Sequence, residues 1–306
     1  MRALIVNNLK SGLRDGAIYE FARKFSGDGD EVVIRSTDGD TRIETMLENA
    51  VGFDAVVAAG GDATISTVSY ALRNTAIPIL PYPAGTANLI ATNLNAPREP
   101  HALANLLRKG LTVDYDLGEL EFLADKLPQT RGFAVMAGAG FDARIMEDAE
   151  KLKSSLGPMA YFASAIGNPT PTVAHFTITL DDEVLEMDGI AVLVINFAQI
   201  YPAVPITHGN DARDGFFEVV VVKPHKTLEL LPAVFSAFLD RAGAFPGRAD
   251  ALEVRLSKTV QVESNPPLRI QYDGEPTGAT TPFFANLLPG AARFIVTSEE
   301  HARHNP

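Results

Sequence analysis

Two glycines and an aspartate stand where a short apolar run, DAVVAA (54–59), gives way to a helical pattern; the stretch reads GGDAT (60–64). A plain turn needs one glycine, whereas two glycines followed by an acid suit a place where something approaches the backbone closely. The loops NNLKSG (7–12) and PAGTAN (83–88) follow two other apolar runs, and each of the three loops precedes a helical pattern. Free N–H groups at a helix start favour an anion, small residues admit a phosphate, and Thr64, Thr86 and Asn88 add donors. Asp62 is the odd member, because a carboxylate repels a phosphate unless a metal bridges them or a proton must be accepted. Taken singly, the loops also read as ordinary turns, with Asp62 and Thr86 as N-caps worth about 1 kcal/mol each. The three together favour phosphate binding. No GK[ST] occurs, so none is a Walker A loop.

The elements that must hold these loops follow from the pattern. RALIVN (2–7), EVVIRS (31–36), DAVVAA and IPILPY (77–82) predict buried strands, and helical patterns fill 16–25, 41–50, 64–73, 86–93 and 99–109. Strands alternating with helices imply a parallel sheet with right-handed crossovers, whose ligands sit beyond the carboxyl ends of the strands. From about residue 113 the chain reads as short strands separated by turn residues, with one helix expected at 228–240, which implies an antiparallel sandwich. The expected division is an α/β domain over 1–120 and a β-rich domain over 121–306, the boundary falling within 119–131. The last strand or tail could return to the first domain.

Composition narrows the function. The chain has 306 residues, 46% hydrophobic and 21% charged, with a formal net charge of −12, which argues against a general nucleic-acid binder. With no cysteine there is no disulfide, thiol nucleophile or thiolate metal site. No apolar run approaches the roughly 18 residues of a membrane span. MRALIVNN is too short in apolar residues for a signal peptide, and a soluble, cytoplasmic protein is expected. The six histidines lack metal-ligand spacing, and the G-x-S-x-G elbow of a hydrolase is absent. GAGFDA (138–143) imitates the start of a dinucleotide fingerprint, but it lies in the β-rich half without a following βαβ unit.

GGDAT, followed some twenty residues later by PAGTANLIATNL, resembles the diacylglycerol-kinase catalytic-domain family, which includes bacterial lipid kinases and the sphingosine and ceramide kinases. IVNNLKSG, GAGFDA, KSSLGPMAY (153–161), VLVINF (192–197), DARDGFFEV (211–219) and YDGE (272–275) extend the resemblance in order along nearly the whole chain. The wider superfamily includes NAD kinases and phosphofructokinases, which share only the GGD loop.

The resemblance implies a Rossmann-like, NAD kinase-type α/β domain followed by an antiparallel β-sandwich, with ATP in the cleft between them. It implies an ATP- and Mg²⁺-dependent lipid kinase acting on a diacylglycerol, a sphingoid or a related lipid. Gly60, Gly61 and Thr64 would hold the phosphates, with Gly85, Thr86 and Asn88 nearby, and Asn7 and Thr37 would also contact the nucleotide. Asp62 would bind Mg²⁺ or orient the hydroxyl. Asp214 would hold a structural Mg²⁺ with oxygens from Asp211 and Phe216, although the same D-G pair reads as a hairpin turn. Glu275 would be the general base, although by itself it reads as a solvated turn acid. A lipid substrate, transient contact with a membrane surface and a homodimer are all compatible with the resemblance. The chain departs from the family at Ala63, in place of the last glycine of GGDGT, and at Leu89 and Thr92, in place of an acid and an arginine. AQIYPAV (198–204) replaces a glycine pair. These departures leave two alternatives: a kinase of a soluble acceptor such as NAD, or a nucleotide binder without turnover.

Overall fold

The structure is a computed structural model, and it describes residues 1–11, 16–27, 29–38, 41–85, 88–140, 172–197, 199–201, 204–205, 211–224 and 252–304. The chain divides into two compact units, one of Met1–Leu117 with Pro289–Pro306 and one of Gly118–Leu288.

The first unit begins with β1 (Arg2–Asn8), α1 (Ala17–Ser26), β2 (Glu31–Thr37), α2 (Ile43–Met46), β3 (Ala55–Gly60) and α3 (Asp62–Ala71). β4 (Ile79–Pro83), α4 (Leu89–Asn93) and α5 (Pro100–Lys109) follow. The strands lie side by side in the order β2-β1-β3-β4, all parallel. Ala3 to Val6 of β1 and the whole of β3 are buried, as expected of parallel strands covered on both faces, and hence their unbroken apolar runs. α1 buries Ile18, Phe21 and Phe25 on one face; the rings of Phe21 and Phe25 stack at 6.2 Å and Phe21 meets Tyr82 edge-on at 5.5 Å. α5 starts at Pro100 and stops at Gly110, whose φ of 62° suits a residue without Cβ. Its Arg108 donates to the Lys24 and Phe25 carbonyls at 3.0 and 2.6 Å, satisfying the end of α1.

The second unit holds β6 (Leu127–Phe133), β7 (Met136–Ala139), β8 (Ala174–Thr179), β9 (Val184–Gly189), β10 (Ala191–Ile195), β11 (Gln199–Tyr201) and β12 (Val204–Pro205). β13 (Phe217–Val222), β14 (Leu252–Ser257), β15 (Thr259–Asn265), β16 (Arg269–Tyr272) and β17 (Glu275–Thr280) complete it. Two long strands, β5 (Thr112–Ala124) and β18 (Phe283–Ile295), give one end to each unit. One antiparallel sheet runs β14-β13-β10-β7-β16-β17, and a second antiparallel run is β18-β15-β8-β9. Side chains from both, among them Phe176, Phe217, Val221 and Val262, join Phe133 of β6 in one apolar cluster, so this unit is a β-sandwich. Gly118 is required where it stands, because a Cβ there would lie 2.1 Å from the Phe133 ring.

The first unit closes with the end of β18, where Phe294 pairs in parallel with Ile79 of β4, and with α6 (Ser298–His304). Glu300 of α6 is 4% exposed and holds four partners. Its carboxylate accepts from Tyr115 Oη at 3.1 Å, Asn95 Nδ2 at 3.0 Å and Arg303 at 2.9 Å, and pairs with His304 Nε2 at 2.9 Å.

Two helices differ from expectation. The pattern over 41–50 yields only the four residues of α2, since Asn49 turns left-handed at φ 61° and a short 3₁₀ turn follows at Ala50–Gly52. The helix expected from residue 86 starts at Leu89, because Asn88 is left-handed at φ 52°. The caps of α3 and α4 are accordingly Gly61 and Asn88, not Asp62 and Thr86. The helix expected at 228–240 and the stretch 153–161 lie outside the described residues. Among the described residues no helix is long and apolar enough to cross a membrane.

Candidate active site

Strand register places the loops of the first unit in one row. Asn8 pairs with Thr37, Asn7 with Ala59, and Gly60 with Pro83, all at the carboxyl ends of the parallel strands. The loops then bind one another. Asn8 Nδ2 donates to Thr64 Oγ1 at 2.9 Å, the Gly61 N–H donates to Ser11 Oγ at 3.3 Å, and the Ala84 N–H donates to the Gly60 carbonyl at 3.2 Å. Asn7 Nδ2 donates to Ser36 Oγ at 3.3 Å, and Leu9 N–H to the Thr37 carbonyl at 2.8 Å.

The two glycine loops touch at their backbones. A Cβ on Gly85 would lie 2.5 Å from Gly61 Cα, and one on Gly60 would lie 2.5 Å from Thr64 Cβ. Asn88, in the left-handed conformation that asparagine tolerates, brackets Gly85: its Oδ1 accepts the Gly85 N–H at 2.8 Å and its Nδ2 donates to the Gly85 carbonyl at 2.7 Å. Asp62 is the first residue of α3, where a negative charge is favoured, and its Oδ1 accepts the Ile90 N–H at 2.8 Å. That bond satisfies an amide in the first turn of α4. Asp62 is therefore tied to the loop that carries Gly85 and Asn88. Ala63 lies within α3 and is not among the residues with positive φ, so alanine is accommodated there without strain. Leu89 opens α4 with its side chain buried.

The structure thus brings together Asn7, Thr37, Gly60, Gly61, Asp62, Thr64, Gly85 and Asn88 in the first unit. Thr86 lies outside the described residues. Thr37 is buried, and its hydroxyl donates locally to the Thr41 carbonyl at 3.2 Å. Asn8 and Ser11 join the cluster without having been singled out; their signal was the polar tract at the end of β1 and just after it.

In the second unit, Asp211, Asp214 and Phe216 form one turn before β13. The Asp211 carbonyl accepts the N–H groups of Arg213 and Asp214 at 2.6 and 2.9 Å, and Asp214 Oδ1 accepts the Phe216 N–H at 2.9 Å. Burial pushes the Asp214 carboxyl up from its ordinary value; the Phe216 and Asp211 amides oppose this, and the Asp211 charge reinforces it. The Asp214 carboxylate, the Asp211 carboxylate and the Asp211 carbonyl are hard oxygen donors on one turn, of the kind that holds a divalent cation. Among the described residues no group of three or more acids, histidines or cysteines is placed to hold a metal ion.

Glu275 is the exposed first residue of β17, paired with Tyr272 across a two-residue turn. Both turn residues, Asp273 (φ 44°) and Gly274 (φ 81°), are left-handed, as a type I′ hairpin requires. Asp273 was not singled out by sequence, yet its carboxylate accepts three backbone N–H groups, those of Ala134, Val135 and Met136, each at 2.9 Å.

Residues 2–120 match the diacylglycerol kinase catalytic domain, and residues 135–296 match the YegS C-terminal NAD kinase beta sandwich-like domain. An uncharacterised protein of Synechocystis is 30% identical over 255 residues, a match covering 81% of this chain and 56% of that protein. The chain therefore spans a little over half the length of this relative. A Klebsiella pneumoniae protein named "Probable lipid kinase YegS-like" is 27% identical over 312 residues, covering 95% of this chain and 94% of that protein. The crystal structure of a diacylglycerol kinase from Bacillus anthracis superposes with a TM-score of 0.72 at 18% identity, covering 97% of each chain. With consecutive matches along both units, the chain belongs to the diacylglycerol kinase catalytic-domain family whose members carry a YegS-type, NAD kinase-like C-terminal domain.

Proposed function

We propose that this protein transfers the γ-phosphoryl group of ATP to a hydroxyl of a lipid, such as a diacylglycerol or a sphingoid, with Mg²⁺. The observation that carries this reading is the backbone contact of Gly61 with Gly85 at the N-terminus of α3, locked by the Asp62–Ile90 hydrogen bond. Phosphates need a surface where N–H groups are reachable without intervening side chains, and paired glycines at a helix start supply one. The family match directs that surface toward lipid phosphorylation.

Each residue then has a defined task. Gly60, Gly61 and Thr64 hold the phosphates, with Gly85, Asn88 and Thr86 beside them and Asn7 and Thr37 on the nucleotide side. Asp62 orients the reacting groups or holds the catalytic cation. Glu275 accepts the proton of the lipid hydroxyl, a contribution of typically 10²–10⁴-fold. Asp214, with oxygens of Asp211 and Phe216, holds a structural Mg²⁺. When bound, the cation supplies positive charge against the phosphate oxygens. The lipid is met at a membrane surface.

The test is incubation of the purified protein with labelled ATP, Mg²⁺ and a total lipid extract, counting label in the organic phase, with Asp62→Asn as control. Label that disappears in the variant supports the reading, and the labelled species identifies the acceptor. No label despite measured ATP binding would replace it with a soluble acceptor or a binder without turnover. Leu89, buried where the resemblance implies an acid, is the residue that gives this second outcome its interest.

A further inference from the structure

The Asp273-Gly274 pair closes the β16–β17 hairpin, and an Asp-Gly pair forms such a turn without help from its side chain. The Asp273 carboxylate is engaged elsewhere. Its Oδ2 accepts the Ala134 N–H and its Oδ1 accepts both the Val135 and Met136 N–H groups, each at 2.9 Å, and its own N–H donates to the Met136 carbonyl at 2.8 Å. Carbonyls of the same short segment are bound by the two residues that follow β10. Val135 O accepts the N–H groups of Asn196 and Phe197 at 2.9 and 3.2 Å, and Ala134 O accepts Asn196 Nδ2 at 2.8 Å. The Gly274 N–H donates to Gln271 Oε1 at 3.1 Å, holding the other side of the turn. Glu275 follows at once. Residues 134–136 are therefore an anchor to which the turn before Glu275 is attached by four hydrogen bonds.

We propose that Asp273 is a positioning residue for Glu275: it fixes the turn on which the base is carried and does not itself take the proton. This rests on the reading of Glu275 as the general base. In that step Glu275 takes the hydroxyl proton as the lipid oxygen bonds to the γ-phosphorus. The bond from that phosphorus to the β–γ bridging oxygen breaks, and ADP leaves with the electron pair. Asp273 is a poor candidate for the same task, since three donors occupy most of the roughly four acceptor positions of a carboxylate. A base displaced by about 1 Å loses on the order of 100-fold in rate, which sets the scale of the effect.

The experiment compares Asp273→Asn, Asp273→Ala and Glu275→Gln in the full chain, reading kcat, KM for ATP, the pH profile of kcat, and amide hydrogen exchange at residues 134–136 and 272–276. Asp273→Asn has one acceptor oxygen left. It should lower kcat about 10- to 100-fold with KM for ATP unchanged and the acid limb of the profile at its wild-type pH. Asp273→Ala should lie lower still, and Glu275→Gln should lose the acid limb altogether. Exchange should quicken at both segments in the Asp273 variants and stay at its wild-type rate in Glu275→Gln. An acid limb that survives in Glu275→Gln but vanishes in Asp273→Asn would make Asp273 the base and overturn the proposal. Wild-type kcat or wild-type exchange in both Asp273 variants would overturn it as well. Absence of any lipid phosphorylation by the wild-type protein would instead overturn the kinase reading, with the exchange measurement still deciding whether the carboxylate holds the turn.

Discussion

The carboxylate of Asp62 and the backbone N–H of Ile90, 28 residues apart in sequence, meet at 2.8 Å. Through this bond the first residue of one helix caps the first turn of another, and the two glycine-bearing loops become one structure. An acid that looks like a ligand for a cation is thereby also a fastener.

Asp62→Ala should therefore have two separable effects. Leaving the buried Ile90 amide without its acceptor costs about 1–3 kcal/mol, and the loss of the carboxylate should abolish phosphoryl transfer. Asp62→Asn keeps an acceptor oxygen and should recover most of the stability but little of the activity. Thermal melting alongside the labelled-phosphate assay distinguishes the two.

The glycine pair predicts an asymmetry. A Cβ on Gly85 would press into Gly61 Cα at 2.5 Å, whereas one on Gly61 would meet nothing closer than 3.7 Å. Gly85→Ala should destabilise the first unit by about 1–3 kcal/mol through overpacking. Gly61→Ala should melt near the wild-type temperature yet bind ATP more weakly, because its new methyl group stands where phosphate would approach the backbone. Melting curves and ATP titration calorimetry on both variants would show whether the damage divides in this way.

Glu300→Ala should be the most destabilising single change in α6. It removes the acceptor shared by the Tyr115 hydroxyl, the Asn95 amide and Arg303, and taking the acceptor from a buried donor costs about 1–3 kcal/mol. Glu299→Ala, one residue away on the same helix with its side chain 84% exposed, should change stability by less than about 0.5 kcal/mol. Urea unfolding midpoints with unchanged m-values would report the difference.

Acid sensitivity should be concentrated in part at Asp181. Burial raises its carboxyl, but hydrogen bonds from Lys258 N–H, the Thr259 hydroxyl and N–H, and Ser257 outweigh burial and leave it below its ordinary value. A carboxyl lowered in the folded state stabilises it above the unfolded value, near pH 4, and that contribution fades as pH falls through the folded value. Asp181→Asn should be less stable than wild type at pH 7, and the gap should narrow below pH 4. Denaturant titrations at pH 7, 4 and 3 would test this.

What could be read from residue order alone was local. RALIVN, DAVVAA and IPILPY announced parallel strands because strands buried on both faces need no polar alternation, and the glycine loops stood out because few other residues fit so near a backbone. The helix expected over 41–50 shrank to four residues because Asn49 turns left-handed, a choice that pattern does not reveal. Long-range partners were invisible. Nothing near Asp62 points to Ile90, and Asp273 in YDGE looks like half of a turn until its carboxylate is seen on amides at residues 134–136. Glu300 lies in a polar tail, SEEHARH, yet its carboxylate is buried among four partners.

The return of β18 and α6 to the first unit has a consequence for synthesis. On a ribosome, residues 118–288 emerge complete before Pro289, so the β-sandwich has all its strands while the glycine-loop unit still lacks its last strand and its Glu300 hub. The unit that begins the chain is thus the last to be finished. Its sheet edge at β4 stays uncovered for more than half the length of translation, a window in which an unpaired strand edge invites misassembly with other chains.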